Sequence, residues 1–488
     1  MSRRNTERRG EETAPQLGPM TDASTRPPRR WRPLAALAAR PLSQPHDWAV
    51  TAGRTYPLRL AGRRWALSLS PEAWAARLSE QPPLAPLDEG ERARYAALRR
   101  ALPRDWLKPL LGCVAVSVAD ELERGVGALG VGALKPLHER CDELASRGLA
   151  HALMGLDLLR DAEGERLLRE ARERCWGAWD SPDPWVASGV ALGRGLLAGR
   201  AWRGLCERLE RLAGGAPRLS ALLAALGDAS APPESTLVDE TPAGALLKLY
   251  AQLSRDVSHS CQWAWVHISA EPRWREALAH EVRGALGERP YSEEALAALP
   301  ALHAVLLELS RLYPPVWREA LMSRAAQPSS GGRYGARRAM EPHSLDGLTL
   351  SGATLLLSLP FWLHRDERSW EEPSRWRPSR RLTLSAAEGK GEGEGERLLL
   401  LPPRGLLAPF GFPHASSGEG ARETLWTHAV AAVLTSVLRR GAYEVRGEEG
   451  AAEEPWPRVR GGGLAPPEAL LCAFCVSERL TYVPSERL

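Results

Sequence analysis

The sequence has no apolar stretch long enough to cross a bilayer: its longest, around Leu355 to Leu363, is short and broken by Pro360. No apolar core suited to a signal peptide precedes the first structured residues, so the expected location is the cytoplasm. Charge of one sign is lacking too. Lys and Arg total 64 against 60 Asp and Glu, a formal net charge of +4, and no basic stripe interleaved with aromatics occurs, which argues against a nucleic-acid partner. Cysteine is sparse and odd in number: seven scattered residues fit a reducing compartment and exclude a disulfide scaffold. Cys113, Cys141, Cys175, Cys206 and Cys261 fall in helical patterns, and Cys472 and Cys475 in an apolar strand. The C-x-x-C spacing of the last two has no second pair to complete a zinc site, and a strand turns i and i+3 to opposite faces, so all are read as core residues.

What remains is a long chain with a large apolar fraction. Its 488 residues, 44% of them hydrophobic, can bury a sizeable core. Residues 1–35, rich in Arg, Pro, Ser, Thr and Glu without apolar periodicity, are expected to form a disordered basic tail, and 36–488 a single domain. AEGKGEGEGER, residues 387–397, is a low-complexity insertion. Gly125, Gly127 and Gly130 spell G-x-G-x-x-G, but a helical pattern precedes them where a dinucleotide site needs a strand, so they are read as an interhelical loop.

Three stretches carry chemistry. LLELSRLYPPVW, Leu306 to Trp317, places Glu308 and Arg311 at i, i+3 on one helical face, where they pair, and its prolines end the helix. PSRWRPSR, Pro373 to Arg380, supplies a further arginine, Arg375; two guanidinium forks on one carboxylate pin a loop to a helix. Between them, Gly347 to Trp370 alternates as a hairpin with a turn at Ser351-Gly352 and then a short helix, ending in the step His364, Arg365, Asp366. PFGFPHASSGEGARE, Pro409 to Glu423, is a loop rich in glycine and proline that contains no cysteine. Nearer the amino terminus, Tyr56 to Glu80 reads as two strands around Gly62 and a helix opening at Ser70-Pro71.

In this order the parts resemble the cytochrome P-450 family, firmly from Leu246 to Arg440 and weakly between Gly125 and Ala243. The resemblance implies that fold, mainly α with small β-sheets. It makes Glu308, Arg311 and Arg375 a structural triad. It also sets positions for haem. The loop pattern F-G-x-G-x-R-x-C-x-G laid from Phe410 puts Ser417 at the iron ligand, and anchoring on Gly418-Glu419-Gly420 puts Ser416 there. A hydroxyl is a poor substitute for a thiolate. His414, two or three positions earlier, is an alternative ligand or a surface histidine. The oxygen-activating motif A-G-x-D/E-T falls on Gln252, Leu253, Ser254, Arg255 and Asp256, keeping none of its functional residues; a shift brings in Asp256 and Ser258 as an acid–hydroxyl pair. Trp106 stands where the family's C helix begins, with Leu110 at a position often held by a propionate arginine. Arg324 is a candidate for the other propionate contact.

Three readings follow. A haem-free relative, with no cofactor, would serve as partner or scaffold in a natural-product pathway, similar to cysteine-lacking homologues that activate a glycosyltransferase. An active member would bind haem b through Ser417, Ser416 or His414 and oxidise a lipophilic small molecule with electrons from a ferredoxin or reductase. A third form would bind a small lipophilic ligand without chemistry.

Overall fold

The computed structural model describes residues 42, 47, 54–60, 63–79, 84–86, 90–102, 107–129, 133–180, 199–229, 241–323, 343–350, 354–385, 397–400, 407–410, 420–446, 457–460 and 463–476. The 1–35 tail and all but the last residue of the 387–397 insertion lie outside them.

The first elements are a hairpin, β1 (Thr55–Leu60) and β2 (Arg63–Ser68), and the helix α1 (Pro71–Ser79). Ser70 Oγ accepts the amide of Ala73 at 3.2 Å with Pro71 at the first helical position, so a capping serine and a proline fix the start. Next come β3 (Leu84–Pro86), α2 (Gly90–Ala101), α3 (Leu107–Leu129), β4 (Leu134–Pro136), α4 (Leu137–Met154), α5 (Leu156–Arg160), α6 (Ala162–Asp180), α7 (Arg200–Ala213) and α8 (Pro217–Ala229). Gly125 and Gly127 lie inside α3 rather than in a loop: the apolar periodicity of this helix carries the chain past two weak helix formers. α3 starts at Leu107, directly after Trp106, and Leu110 is buried in the core.

The central element is α9 (Pro242–Ala270), buried on almost every face. Thr241 caps it, its side chain accepting from the Gly244 amide at 3.1 Å, and Pro242 occupies the first turn. It stops at Glu271 because Pro272 begins α10 (Pro272–Leu286), and a residue before proline disfavours the helical conformation. α11 (Pro300–Leu312) follows, ended in the same way by Tyr313 before Pro314. α4, α6, α7 and α13 (Ala421–Leu438) pack around α9, and α3 packs on α4 and α13. Ahead of α13 lie β5 (Glu319–Ser323), β6 (His343–Leu345), β7 (Leu348–Leu350), β8 (Leu355–Ser358), α12 (Pro360–Leu363), β9 (Leu382–Ser385) and β10 (Arg397–Leu400); after it come β11 (Gly441–Arg446), β12 (Arg458–Arg460), β13 (Gly463–Ala465) and β14 (Leu471–Val476).

The sheets are small. Five strands run in the order β1-β2-β8-β5-β3, with only β2 and β8 parallel, Trp65 opposite Leu355. A second sheet is β11-β14-β4, and β6-β7, β9-β10 and β12-β13 are two-stranded. The hairpin expected around Ser351-Gly352 is displaced. Its turn is Asp346-Gly347, with φ of 55° and 74°, and it joins β6 to β7, while β8 leaves for the five-stranded sheet. Two consecutive residues at positive φ are what a two-residue hairpin turn demands, and Asp-Gly supplies them better than Ser-Gly. Among the described residues, five of the cysteines are buried and Cys113 is half-buried, all as free thiols. No described helix is long and apolar enough to cross a membrane.

Two buried histidines make this core acid-sensitive. His364 Nδ1 donates to the Arg311 carbonyl at 3.0 Å, and its Nε2 accepts the Ala408 amide at 2.9 Å, so the ring must stay neutral. Burial holds its pKa down at about 3. His267, hydrogen-bonded to the Tyr313 hydroxyl at 3.0 Å and stacked on Trp376, is likewise lowered by burial to about 3. For a base whose folded pKa lies below its ordinary 6.5, the stabilisation is complete above 6.5 and is lost as pH falls towards 3. Going from about pH 7.5 to about pH 5 should therefore cost about 2 kcal/mol per histidine. Urea denaturation at the two pH values measures it; His267→Phe should remove its own share of the loss, and an unchanged loss would contradict the assignment.

Candidate functional site

Two buried carboxylates organise the molecule. The first is Glu308 on α11, with no exposed surface. Its Oε2 accepts from Arg311 Nε at 2.9 Å, and its Oε1 from Arg311 Nη2 at 2.8 Å, from the Arg377 amide at 3.0 Å and from Arg380 Nε at 3.0 Å. Arg311 spends its remaining donors on carbonyls: His364 at 2.8 Å, Pro373 at 2.6 Å and Arg375 at 3.3 Å. One guanidinium thus gathers the chain after α12 and the PSRWRPSR segment onto one helix end. The arginine that completes the group is Arg380, not Arg375. The Arg375 side chain is mostly exposed and pairs with Glu372; only its carbonyl reaches the cluster. The segment carries three arginines, and the 3-10 turn at Pro378–Arg381 aims the third of them inward.

The second is Asp256 on α9, and it is 3% exposed. Oδ1 accepts from Arg255 Nε at 2.9 Å and Nη2 at 2.7 Å. Oδ2 accepts from Arg422 of α13, Nε at 3.1 Å and Nη2 at 2.6 Å. Each oxygen therefore meets two donors of one guanidinium, a strong charge-assisted arrangement. Aromatic rings flank both cations: Arg255 lies 5.1 Å from the Trp179 ring and Arg422 5.9 Å from that of Tyr95. One turn further on, Trp426 Nε1 donates to Ser260 Oγ at 2.9 Å. Phe410, partly buried, packs edge-on against Trp426 with ring centres 5.4 Å apart.

Ser258 does not join Asp256. Its hydroxyl donates to Asp142 of α4 at 2.5 Å and accepts from Gln262 at 2.9 Å, while Asp142 also takes Arg460 at 3.0 Å. Residues two apart on a helix point to different sides, so an acid–hydroxyl relay from this pair has no geometric basis. His259 is buried, and its pKa is pushed well below the ordinary value by desolvation and by Arg255 and Arg460. Gly463 of β13 lies against it: a Cβ there would come within 2.9 Å of His259 Nδ1 and 3.2 Å of Arg255, so only glycine lets the strand approach. A cleft of about 450 Å³ between α3, α4, α6 and α9 is lined by Glu121, Arg147, Glu165, Arg172 and Tyr250 among others. Such charged walls suit a polar ligand rather than a lipophilic one. Arg324, His414, Ser416 and Ser417 lie outside the described residues.

A family model described as Cytochrome P450 matches residues 217–391, ending before the loop at Pro409. A rice protein (Oryza sativa subsp. japonica), ent-kaurene oxidase-like 5, is 31% identical over 119 residues, 24% of this chain and 21% of its own length. Cytochrome P450 705A22 of Arabidopsis thaliana is 26% identical over 189 residues, 38% of this chain and 33% of its own length. A Mycobacterium bovis protein bearing the cytochrome P450 name is 26% identical over 318 residues, 60% of this chain and 63% of its own length. These matches support the cytochrome P450 superfamily for this chain. It spans less than two thirds of the length of each of these relatives.

In a cytochrome P450 the haem is held between the iron loop and the oxygen-activating helix, which correspond here to the chain entering α13 and to α9 around residues 252–256. Arg422 and Asp256 are in direct contact across that interval, and so are Trp426 and Ser260. A macrocycle cannot lie between side chains that are hydrogen-bonded to each other. These two contacts leave no space for a macrocycle between α9 and the first turns of α13. Neither Arg422 nor Arg380 was legible as a site residue from spacing alone, since each meets a partner far away in sequence; the one available signal was an arginine two residues after Gly420.

The Glu308 group makes a direct prediction. Arg311→Ala leaves a fully buried carboxylate short of its main partner and should cost about 3–5 kcal/mol. Arg380→Ala removes one bond to the buried carboxylate, with bonds to the carbonyls of Glu371, Glu372 and Arg375 at the exposed end, and should cost about 1.5–3 kcal/mol. Arg375→Ala should stay within about 0.5 kcal/mol. Denaturant midpoints of the three variants give the order; equal losses for Arg375→Ala and Arg380→Ala would reverse the assignment.

Proposed function

We propose that this cytochrome P450 family member works without haem, as a partner or scaffold for another enzyme of a natural-product pathway, such as a glycosyltransferase. The observation that carries the reading is the direct Arg422–Asp256 contact between the start of α13 and α9. Two sequence facts support it. Both registers of the iron loop put serine, Ser416 or Ser417, at the ligand position, and Leu253 and Arg255 stand where the oxygen-activating motif has its glycine and acid. What is kept is structural: Glu308, Arg311 and the proline punctuation that sets the loops. A chain kept for its shape and not for iron chemistry has this pattern.

The names of the relatives favour a second reading. Besides ent-kaurene oxidase-like 5, a rice ent-sandaracopimaradiene 3-hydroxylase is 29% identical over 119 residues. On that reading the chain oxidises a terpenoid-like lipophilic molecule with haem b held by a serine, or by His414, and takes electrons from a ferredoxin or reductase.

One preparation separates the two. Protein produced with haem precursor in excess should emerge without stoichiometric Soret absorbance and without a thiolate-type carbon monoxide difference band; one tightly held haem per chain would decide for the second reading. Under the first, a neighbouring pathway enzyme should co-purify and lose activity when this chain is withdrawn. Unchanged activity of every neighbouring enzyme would remove the partner role.

A further inference from the structure

We propose that the cleft between α3, α4, α6 and α9 binds a small polar phosphate ester, and that Arg169 and Arg172 of α6 hold its phosphate. The site stands apart from any haem and holds under either reading of the function. The charges of the cleft point to it first. Glu121 of α3 meets Arg124 at 2.9 Å, Arg147 at 3.3 Å and Arg140 at 3.7 Å. Glu143 meets Arg140 at 3.2 Å and Lys135 at 3.3 Å, Asp142 meets Arg460 at 3.0 Å, and Glu165 meets Arg147 at 2.5 Å. Of the acids on the walls only the exposed Glu139 is left over. Arg169 and Arg172 line the same cleft, and neither guanidinium forms an ion pair or a hydrogen bond with a described residue. The uncommitted charge inside the cleft is therefore positive, and an anion is what it lacks.

Arg172 is also seated in advance. It is partly buried, and its guanidinium lies 5.3 Å from the centre of the Trp176 ring. That ring is itself fixed, being buried and donating from Nε1 to the Ala251 carbonyl of α9 at 2.9 Å. A cation resting on an aromatic face is held in place without using its N–H donors, so the whole fork stays available to a ligand. An arginine on open surface would have to be ordered on binding, which weakens affinity.

Spacing and shape select the class of anion. Residues i and i+3 share a helix face with Cβ atoms about 5–6 Å apart, so the two forks can converge on one group. A phosphate monoester carries nearly two negative charges on three terminal oxygens, which matches two guanidinium forks, whereas one carboxylate is served by a single fork. Tyr250, 2% exposed, also lines the cleft; burial raises its pKa above the ordinary value, so the phenol keeps its proton and can donate to the rest of the ester. Leu159 and Leu168 are the only aliphatic residues among the described ones lining the cleft, so the esterified part is polar as well. The volume of about 450 Å³ falls within the range of small-molecule sites, about 300–1,000 Å³.

The test is calorimetric titration of the full-length protein at fixed ionic strength. The probes are inorganic phosphate and glucose 6-phosphate, with gluconate as the carboxylate counterpart. Glucose 6-phosphate should bind saturably at one per chain, and gluconate at least about tenfold more weakly. Arg169→Gln and Arg172→Gln should each weaken glucose 6-phosphate at least about tenfold, while Arg203→Gln, an exposed arginine of α7 outside the cleft, should leave it unchanged. If neither phosphate probe saturates below about 10 mM, the site is refuted. Gluconate binding as tightly as glucose 6-phosphate overturns the phosphate assignment, and an equal loss in all three variants shows attraction to surface charge only and overturns the site. Protection of the wild type covers the case in which a variant does not fold. Bound glucose 6-phosphate should slow phenylglyoxal modification of Arg169 and Arg172, mapped by peptide mass, and not that of Arg203; equal rates with and without it contradict the assignment.

Discussion

Asp256 sits where water cannot reach, and that constraint shapes the middle of the molecule. α9 passes through the core carrying an unbroken run of polar side chains from Ser258 to Ser260 beside Arg255 and Asp256, every one buried. Buried charge is tolerated only when opposite charge and directed hydrogen bonds replace the lost hydration. The carboxylate answers with Arg255 from its own helix and Arg422 from α13; Ser258 turns to Asp142, and Ser260 to Trp426. The requirement to satisfy these groups fixes which face of α13 meets α9, because an apolar contact would allow many registers and a two-rung polar one allows a single register.

Glu308 solves the same problem for a different purpose. Its partners are Arg311 of its own helix, the Arg377 amide and Arg380 of the 3-10 turn at Pro378–Arg381, and Arg311 spends its other donors on the carbonyls of His364, Pro373 and Arg375. This group binds irregular backbone to a helix, and irregular backbone has carbonyls in need of donors. His364 extends it to Ala408, two residues before Phe410, through a ring that must remain neutral. The path from Glu308 to the entrance of the iron loop is thus one continuous set of buried hydrogen bonds. None of its members needs a metal to be satisfied.

Much of this framework was legible in the sequence. A pair at i, i+3 followed by Tyr-Pro-Pro gives both a helix face and a helix end, and Ser70-Pro71 gives a helix start, because these signals act over a few residues. Long-range partners were not legible. Three arginines within PSRWRPSR present the same chemistry, and only the turn after Arg377 decides that Arg380 points inward while Arg375 faces solvent. The turn at Asp346-Gly347 was a local signal overlooked in favour of Ser351-Gly352, though only the former has both residues suited to positive φ. Asp256 and Ser258 are near in sequence and chemically compatible, but helical geometry separates them and hands each to a different helix.

The same physics explains why the missing ligand and the buried arginine belong together. A fold built around a large flat cofactor cannot keep an empty interval in its core: a void forfeits dispersion contacts on all its walls, and the cost rises with its volume. Filling it with apolar side chains alone would leave Asp256 and Arg255 paired but the two helices free to slide. A long side chain with a planar cationic end reaches across, rests on an aromatic ring and bonds a carboxylate that is already in place. On the haem-free reading proposed above, serine at the ligand position removes one reason for a haem to bind, and the Arg422–Asp256 contact takes up room between α9 and α13.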